Sequence, residues 1–121
     1  FTMNPHFPIN SLYLMRGAVV AQHLGCFMPY VEAIMAAMWE DGANMGDLDA
    51  VTDVLEKAGL DSAAILAKAE VPAVKAELAT NTEAAAARGA FGVPTFFVGD
   101  EMFWGKERLA QVETAIMQSQ P

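Results

Sequence analysis

The sequence predicts an α/β protein that is mostly helical and ends in a β-hairpin followed by one last helix. Apolar residues recur at helical spacing through the first ninety residues. Two short runs rich in aromatic and β-branched residues, at 95–98 and 101–104, then flank Gly99-Asp100, a pair typical of a hairpin turn. After Gly105 the apolar spacing becomes helical again.

The first predicted helix follows an extended lead-in. Residues 1–9 contain two prolines and show no helical period. Asn10 or Ser11 can cap the helix, and Gly25 ends it. Helical spacing puts four residues on one face: Leu12, Met15, Val19 and His23.

Three more helices are predicted before residue 70. Pro29 suits the first position of the second helix. The apolar stripe of that helix is Val31, Ile34, Met35, Met38 and Trp39. Asp47 caps a third helix that Gly59 stops, and Asp61-Ser62 begins a short fourth.

An alanine-rich stretch from Pro72 to Arg88 predicts a fifth helix, with Gly89 as its stop. The polar run at 80–82 interrupts this stretch and leaves a kink or a break open. The last helix is predicted over residues 106–118. Nine residues are predicted to be buried: Leu12, Val19, Val31, Ile34, Leu55, Phe96, Val98, Leu109 and Ile116.

The predicted hairpin poses a packing problem. Its strands carry apolar side chains on both faces, and a lone two-stranded sheet is marginal in water. One terminal helix cannot bury all of the large residues concerned, which are Phe96, Phe97, Met102, Phe103 and Trp104. We therefore expect a further element to pair with the hairpin or cover it.

Composition and charge exclude several classes of function. The chain of 121 residues is 54% hydrophobic and 18% charged, which is typical of a globular domain. Its net charge of −8 argues against nucleic acid or an anionic membrane as partner. Cys26 is the only cysteine, so no internal disulfide forms, and with two histidines no zinc set is expected. No apolar run reaches the length of a membrane span and no signal-like segment opens the chain, so a cytoplasmic protein is expected.

The residues around the hairpin carry a resemblance to a known family. Phe91-Gly92-Val93-Pro94-Thr95-Phe96-Phe97, Gly99-Asp100-Glu101-Met102 and Trp104-Gly105 resemble the C-terminal signature of the 2-hydroxychromene-2-carboxylate isomerases. These are relatives of kappa-class glutathione transferases and of DsbA-like thioredoxin-superfamily proteins. Phe7-Pro8-Ile9-Asn10-Ser11 matches the entry to the helical insertion of that family. The resemblance implies a thioredoxin-like α/β fold, with residues 1–90 as the insertion and 91–121 as the C-terminal ββα half.

The same resemblance implies glutathione as cofactor. Trp104, Gly105, Lys106 and Glu107 would hold its γ-glutamyl group, the carboxylate at the backbone amides and Lys106 and the α-amino group at Glu107. The family more often has Asn or Ser at 106 and Asp at 107. Val93-Pro94 would hold the cysteinyl backbone, and the Val93–Pro94 bond is expected to be cis. Asn10 matches a position at the rim of the substrate pocket, although it equally suits a helix cap.

The implied reaction is the glutathione-dependent isomerisation of an aromatic hydroxychromene carboxylate in aromatic degradation, by a homodimer. The family's N-terminal βαβ unit and catalytic serine would precede residue 1, so these 121 residues alone are expected to be inactive. Three alternatives stay open: a kappa-class-like glutathione transferase, a DsbA-like thiol–disulfide oxidoreductase, and a non-catalytic helical binding or dimerisation module. The residue at the nucleophile position discriminates them: Ser for the glutathione enzymes, Cys-x-x-Cys for the oxidoreductase, and neither for a binding module.

Overall fold

The computed structural model describes residues 1–120 of the 121-residue chain. Within these residues the backbone forms six α-helices, one hairpin and a short 3-10 turn at Lys106–Arg108. The elements in chain order are α1 Leu12–His23, α2 Phe27–Trp39, α3 Leu48–Lys57, α4 Ser62–Ala69, α5 Pro72–Ala87, β1 Thr95–Val98, β2 Glu101–Trp104 and α6 Leu109–Ser119. None of these helices is both long and apolar enough to cross a membrane.

The chain divides into two compact units. The first covers Phe1–Ala79 and the second begins at Thr80. The division falls inside α5, whereas the sequence predicts a boundary after residue 90, which stays a prediction.

The helix boundaries follow the capping residues that the sequence offers. The Asp47 carboxylate accepts the N–H of Asp49 at 3.1 Å, and the Asp61 carboxylate accepts the N–H of Ala64 at 3.1 Å. These bonds satisfy amides that a helix start leaves unpaired. α2 begins at Phe27, two residues earlier than the expected start at Pro29. α5 runs unbroken through residues 80–82, because alanine propensity outweighs three weaker helix formers.

The core of the first unit is built largely from small and medium-sized residues. Gly17, Ala21 and Ala37 are buried, and the Tyr30 ring packs over Gly17. The Tyr30 hydroxyl donates to the carbonyl oxygen of Leu14 at 2.6 Å. The buried apolar side chains of this unit are Leu14, Val19, Val20, Ala21, Tyr30, Ala37, Met38, Met45, Val51, Leu55, Ile65, Ala69 and Val74.

Several burial predictions were wrong. Leu12 is 46% exposed, Leu109 54% and Ile116 44%. Val31, Ile34, Phe96 and Val98 are only half-buried, while Val19 and Leu55 are buried as predicted. On α1 and α2 the predicted stripes were displaced, because close helix packing uses the glycine and alanine positions and turns Met15 and Met35 outward.

A buried amide anchors the lead-in segment. Asn4 is 2% exposed, and its Nδ2 donates to the carbonyl oxygens of Met38 at 2.9 Å and Ala43 at 2.8 Å. Its Oδ1 accepts the N–H of His6 at 2.7 Å. The segment before α1 is therefore fixed to the end of α2 and the loop that follows.

The second unit contains the hairpin. β1 and β2 pair antiparallel, with Thr95 opposite Trp104 and Val98 opposite Glu101. α6 packs against β1, and Val112 is its buried residue. All four residues of β1 are half-buried and most of β2 is exposed, as expected for a hairpin that one helix cannot cover.

Candidate functional site

The candidate site lies in the second unit, where the residues before β1 meet those after β2. The N–H of Gly105 donates to the carbonyl oxygen of Pro94 at 2.9 Å. The peptide bond between Val93 and Pro94 is cis, as is Phe7–Pro8 in the first unit. The six residues that the resemblance assigns to glutathione thus lie at one end of the hairpin.

Val93 offers open backbone groups at this end. Its side chain is 90% exposed. Across residues 1–120, neither its N–H nor its carbonyl oxygen has a hydrogen-bond partner. Exposed, unpaired donors and acceptors of this kind can pair with an extended peptide in the manner of an added strand.

Trp104 forms an aromatic surface beside this edge. Its ring lies 5.1 Å from that of Phe91, centroid to centroid. The indole also covers Gly92 so closely that a Cβ there would lie 2.6 Å from Nε1. Gly92 is therefore required for this close approach, and half of the Trp104 surface still faces solvent.

Gly105 begins the polar part of the site. Its φ of 100° and ψ of 147° belong to a region that glycine alone adopts without strain. The backbone N–H groups of Lys106 and Glu107 donate to no partner within the part of the chain that the structure describes. The Glu107 carboxylate folds back toward Gly105, where a Cβ would collide with its Oε2. Lys106 is exposed and makes no ion pair among residues 1–120.

Asn10 lies in the first unit at the start of α1. It is exposed, and its Oδ1 accepts the N–H of Leu12 at 3.1 Å. The side chain therefore acts as a local cap in this structure. Its assignment to a substrate pocket stays a prediction.

An apolar cavity of about 250 Å³, which the sequence analysis did not locate, lies between the lead-in, α1 and α2. Its wall includes Phe7, Met15, Met35, Met38 and Trp39. The signal in the sequence was the methionines at helical spacing, a pattern that is more often typical of core. A larger open groove of about 470 Å³ in the same unit is lined mainly by alanines and offers no aromatic wall.

The ionisable groups with displaced pKa values are two phenols of the first unit. Burial, with Tyr13 nearby, raises the pKa of Tyr30 far above its ordinary value. Burial and the negative charge of Asp47 also raise the pKa of Tyr13, whose hydroxyl donates to the Met45 carbonyl oxygen. Both hydroxyls donate to backbone carbonyls, so we assign them structural roles. Residues 1–120 contain no cluster of His, Cys, Asp and Glu suited to a metal ion.

Comparison with known proteins places this geometry in a family. The chain is 39% identical over 88 residues to the 2-hydroxychromene-2-carboxylate isomerase of Pseudomonas sp. (strain C18) and 38% to that of Pseudomonas putida. It is 32% identical to the enzyme of the same name from Sphingobium xenophagum. Each match covers 72% or 73% of this chain, but only 41%, 43% and 45% of the respective relatives.

A solved structure agrees with these matches. The selenomethionine form of a 2-hydroxychromene-2-carboxylate isomerase superposes with a TM-score of 0.77 at 34% identity. The superposition covers 90% of this chain and 54% of that one. These matches confirm the thioredoxin-like α/β class and the resemblance that the strand–turn–strand residues indicated. The family described as the DSBA-like thioredoxin domain matches residues 1–117, and the chain belongs to it.

Proposed function

We propose that this chain carries the glutathione site of an isomerase that acts on 2-hydroxychromene-2-carboxylate-type aromatic acids. The observation that carries the proposal is the match to three proteins named 2-hydroxychromene-2-carboxylate isomerase at 32–39% identity. The chain spans less than half the length of these relatives, so the activity of the whole protein is part of the proposal.

The residues after β2 fit a γ-glutamyl group. Two unpaired amides and the Lys106 ammonium supply donors and positive charge for its carboxylate. The Glu107 carboxylate supplies an acceptor for the α-amino group, and it already lies beside Gly105. Two neighbouring residues thus supply both charges that the γ-glutamyl group needs. Lys106 is positive and faces its carboxylate, and Glu107 is negative and faces its α-amino group.

The Val93 edge fits the peptide part of the same ligand. Its free N–H and carbonyl oxygen match the donor and acceptor of a cysteinyl residue lying antiparallel to it. The Gly105–Pro94 hydrogen bond holds this edge next to the amides of Lys106 and Glu107. When bound, glutathione supplies the thiol that assists the isomerisation. The role of this chain is to hold and orient that thiol.

Reversing the charge of Lys106, beside the unpaired amides, tests the site. Isothermal titration of glutathione into the wild type and Lys106→Glu should show a loss of about ten- to hundredfold in affinity, because each such contact is worth roughly 1–3 kcal/mol. Glu107→Gln should weaken binding through the α-amino contact. The matched controls are Lys68→Glu and Glu113→Gln, which change exposed residues that are not assigned to the site.

The controls define the result that contradicts the proposal. Lys68→Glu changes the net charge by the same amount as Lys106→Glu, so equal losses in both would indicate a general charge effect. Unchanged affinity in both Lys106→Glu and Glu107→Gln would remove these residues from the site. Circular dichroism of each variant should match that of the wild type, because all four side chains are exposed.

A further inference from the structure

A side-chain hydrogen bond closes the turn that leads into β1. The Thr95 hydroxyl donates to the carbonyl oxygen of Gly92 at 2.5 Å. Both residues are half-buried, so the bond is partly shielded from water. Across residues 1–120, this hydroxyl is the only hydrogen-bond partner of the Gly92 carbonyl oxygen.

The planarity of the peptide unit connects this bond to Val93. The carbonyl of Gly92 and the N–H of Val93 belong to one peptide unit, which is planar and trans. In a trans unit these two groups point in opposite directions. Because the Thr95 hydroxyl fixes the direction of the carbonyl oxygen, it also fixes the direction of the Val93 N–H on the opposite side.

Trp104 restrains the same peptide unit from a second direction. It is the cross-strand partner of Thr95, and its indole covers Gly92. Glycine has more backbone freedom than any other residue, so the unit that begins at Gly92 needs restraint from its neighbours. Rotation of this unit would break the hydroxyl bond and would also disturb the contact with the indole.

We infer that Thr95 is a positioning residue for the glutathione site, because its hydroxyl holds the Val93 N–H in the direction that binding requires. The inference rests on the proposed function, in which that N–H pairs with the cysteinyl backbone. A donor that is already oriented need not be ordered when the ligand arrives, so affinity is gained. Thr95 acts through the Gly92–Val93 peptide unit and not by contact with the ligand.

Removing the hydroxyl without changing the shape of the side chain tests the inference. Thr95→Val lacks the hydroxyl and keeps a β-branched side chain suited to a strand. Isothermal titration should show glutathione affinity lower by about three- to tenfold, the scale of one lost hydrogen bond. Thr95→Ser keeps the hydroxyl and should bind nearly as tightly as the wild type. The matched control is Thr114→Val, which removes a bond of 3.0 Å to the Ala110 carbonyl oxygen in α6 and should bind as the wild type does.

Amide relaxation of the ligand-free, ¹⁵N-labelled chain separates positioning from a general loss of stability. The Val93 amide should have an order parameter of about 0.85 in the wild type, and in Thr95→Val the value should fall toward about 0.6. Phe96 and Phe103 are paired across the hairpin, and their amides should keep the wild-type values. A merely structural role of Thr95 would loosen all three amides together.

Two results would overturn the inference: a Val93 amide as rigid in Thr95→Val as in the wild type, or equal glutathione affinity in Thr95→Val and Thr114→Val. Thr95→Ala also lacks the hydroxyl and gives the same measurements if Thr95→Val does not fold. Failure of the proposed function would look different, because the wild type itself would then not bind glutathione. The relaxation data contain no ligand and would still decide whether Thr95 orders the Val93 amide.

Discussion

Removing the Asn4 amide should destabilise the first unit by several kilocalories per mole. In Asn4→Ala the bonds from Nδ2 to the carbonyl oxygens of Met38 and Ala43 and the bond from the N–H of His6 disappear, together with a weak 3.4 Å bond from Nδ2 to the Met38 sulfur. Each bond contributes roughly 0.5–1.5 kcal/mol net, and the buried partners are left without replacement. The expected loss is about 2–4 kcal/mol, which corresponds to a fall in melting temperature of about 10–20 °C for a unit of this size.

Asn4→Asp sharpens the test because it keeps the shape of the side chain. A carboxylate cannot donate, so it would set negative charge against the two carbonyl oxygens that now accept from Nδ2. An uncompensated buried charge costs about 3–5 kcal/mol, so Asn4→Asp should be the less stable variant at neutral pH. Asn44→Ala is the control, since Asn44 is exposed and makes one turn hydrogen bond of 3.3 Å.

Thermal and urea unfolding followed by far-UV circular dichroism measure these differences. The reasoning would be refuted by an Asn4→Ala variant as stable as Asn44→Ala. An Asn4→Asp variant more stable than Asn4→Ala would equally show that donation by Nδ2 is not the stabilising contribution.

Three further predictions concern the helices. Gly17→Ala should destabilise by about 1–3 kcal/mol, because its Cβ would collide with the Tyr30 hydroxyl; Tyr30→Phe should recover part of that loss in a double-mutant cycle, whereas additive losses would contradict the contact. Because burial raises the folded-state pKa of Tyr30, the unfolded state loses its phenolic proton first. The contribution of Tyr30 to stability should therefore be constant below about pH 10 and fall above it by up to about 1.4 kcal/mol per pH unit, and alkaline unfolding should show a reduced dependence in Tyr30→Phe. Asp47→Ala should cost about 1 kcal/mol in urea unfolding through loss of the α3 cap, and Asp53→Ala, which changes an exposed residue within α3, should not.

The sequence predicted the elements better than the faces they bury. Helix starts at Asp47 and Asp61 and the turn at Gly99-Asp100 depend on local chemistry that the sequence displays directly. α2 is apolar at nearly every position, so periodicity could not show which side packs inward. The packed side proved to be the one that carries Ala37, which allows close approach.

The other features that the sequence did not predict depend on contacts between residues far apart in the chain. Asn4 gives no sign in the sequence of its role, since its partners lie 34 and 39 residues further along the chain. The apolar cavity likewise combines the lead-in with two helices. By contrast, the residues around Gly105 are contiguous or joined by one hairpin, so their proximity followed from the strand–turn–strand pattern alone.

The large apolar side chains on the surface affect how strongly the protein molecules associate in solution. Phe1, Val93, Phe91, Met117 and Met3 are each more than 60% exposed. The net charge of −8 is then the main force that keeps molecules apart in dilute buffer. That repulsion reaches about 10 Å at 0.1 M salt but only about 3 Å at 1 M, and it vanishes near the isoelectric point of about 4.5. Concentrated salt or mild acid should therefore allow the protein to associate through these exposed apolar side chains. Light scattering should detect the oligomers before the helices unfold.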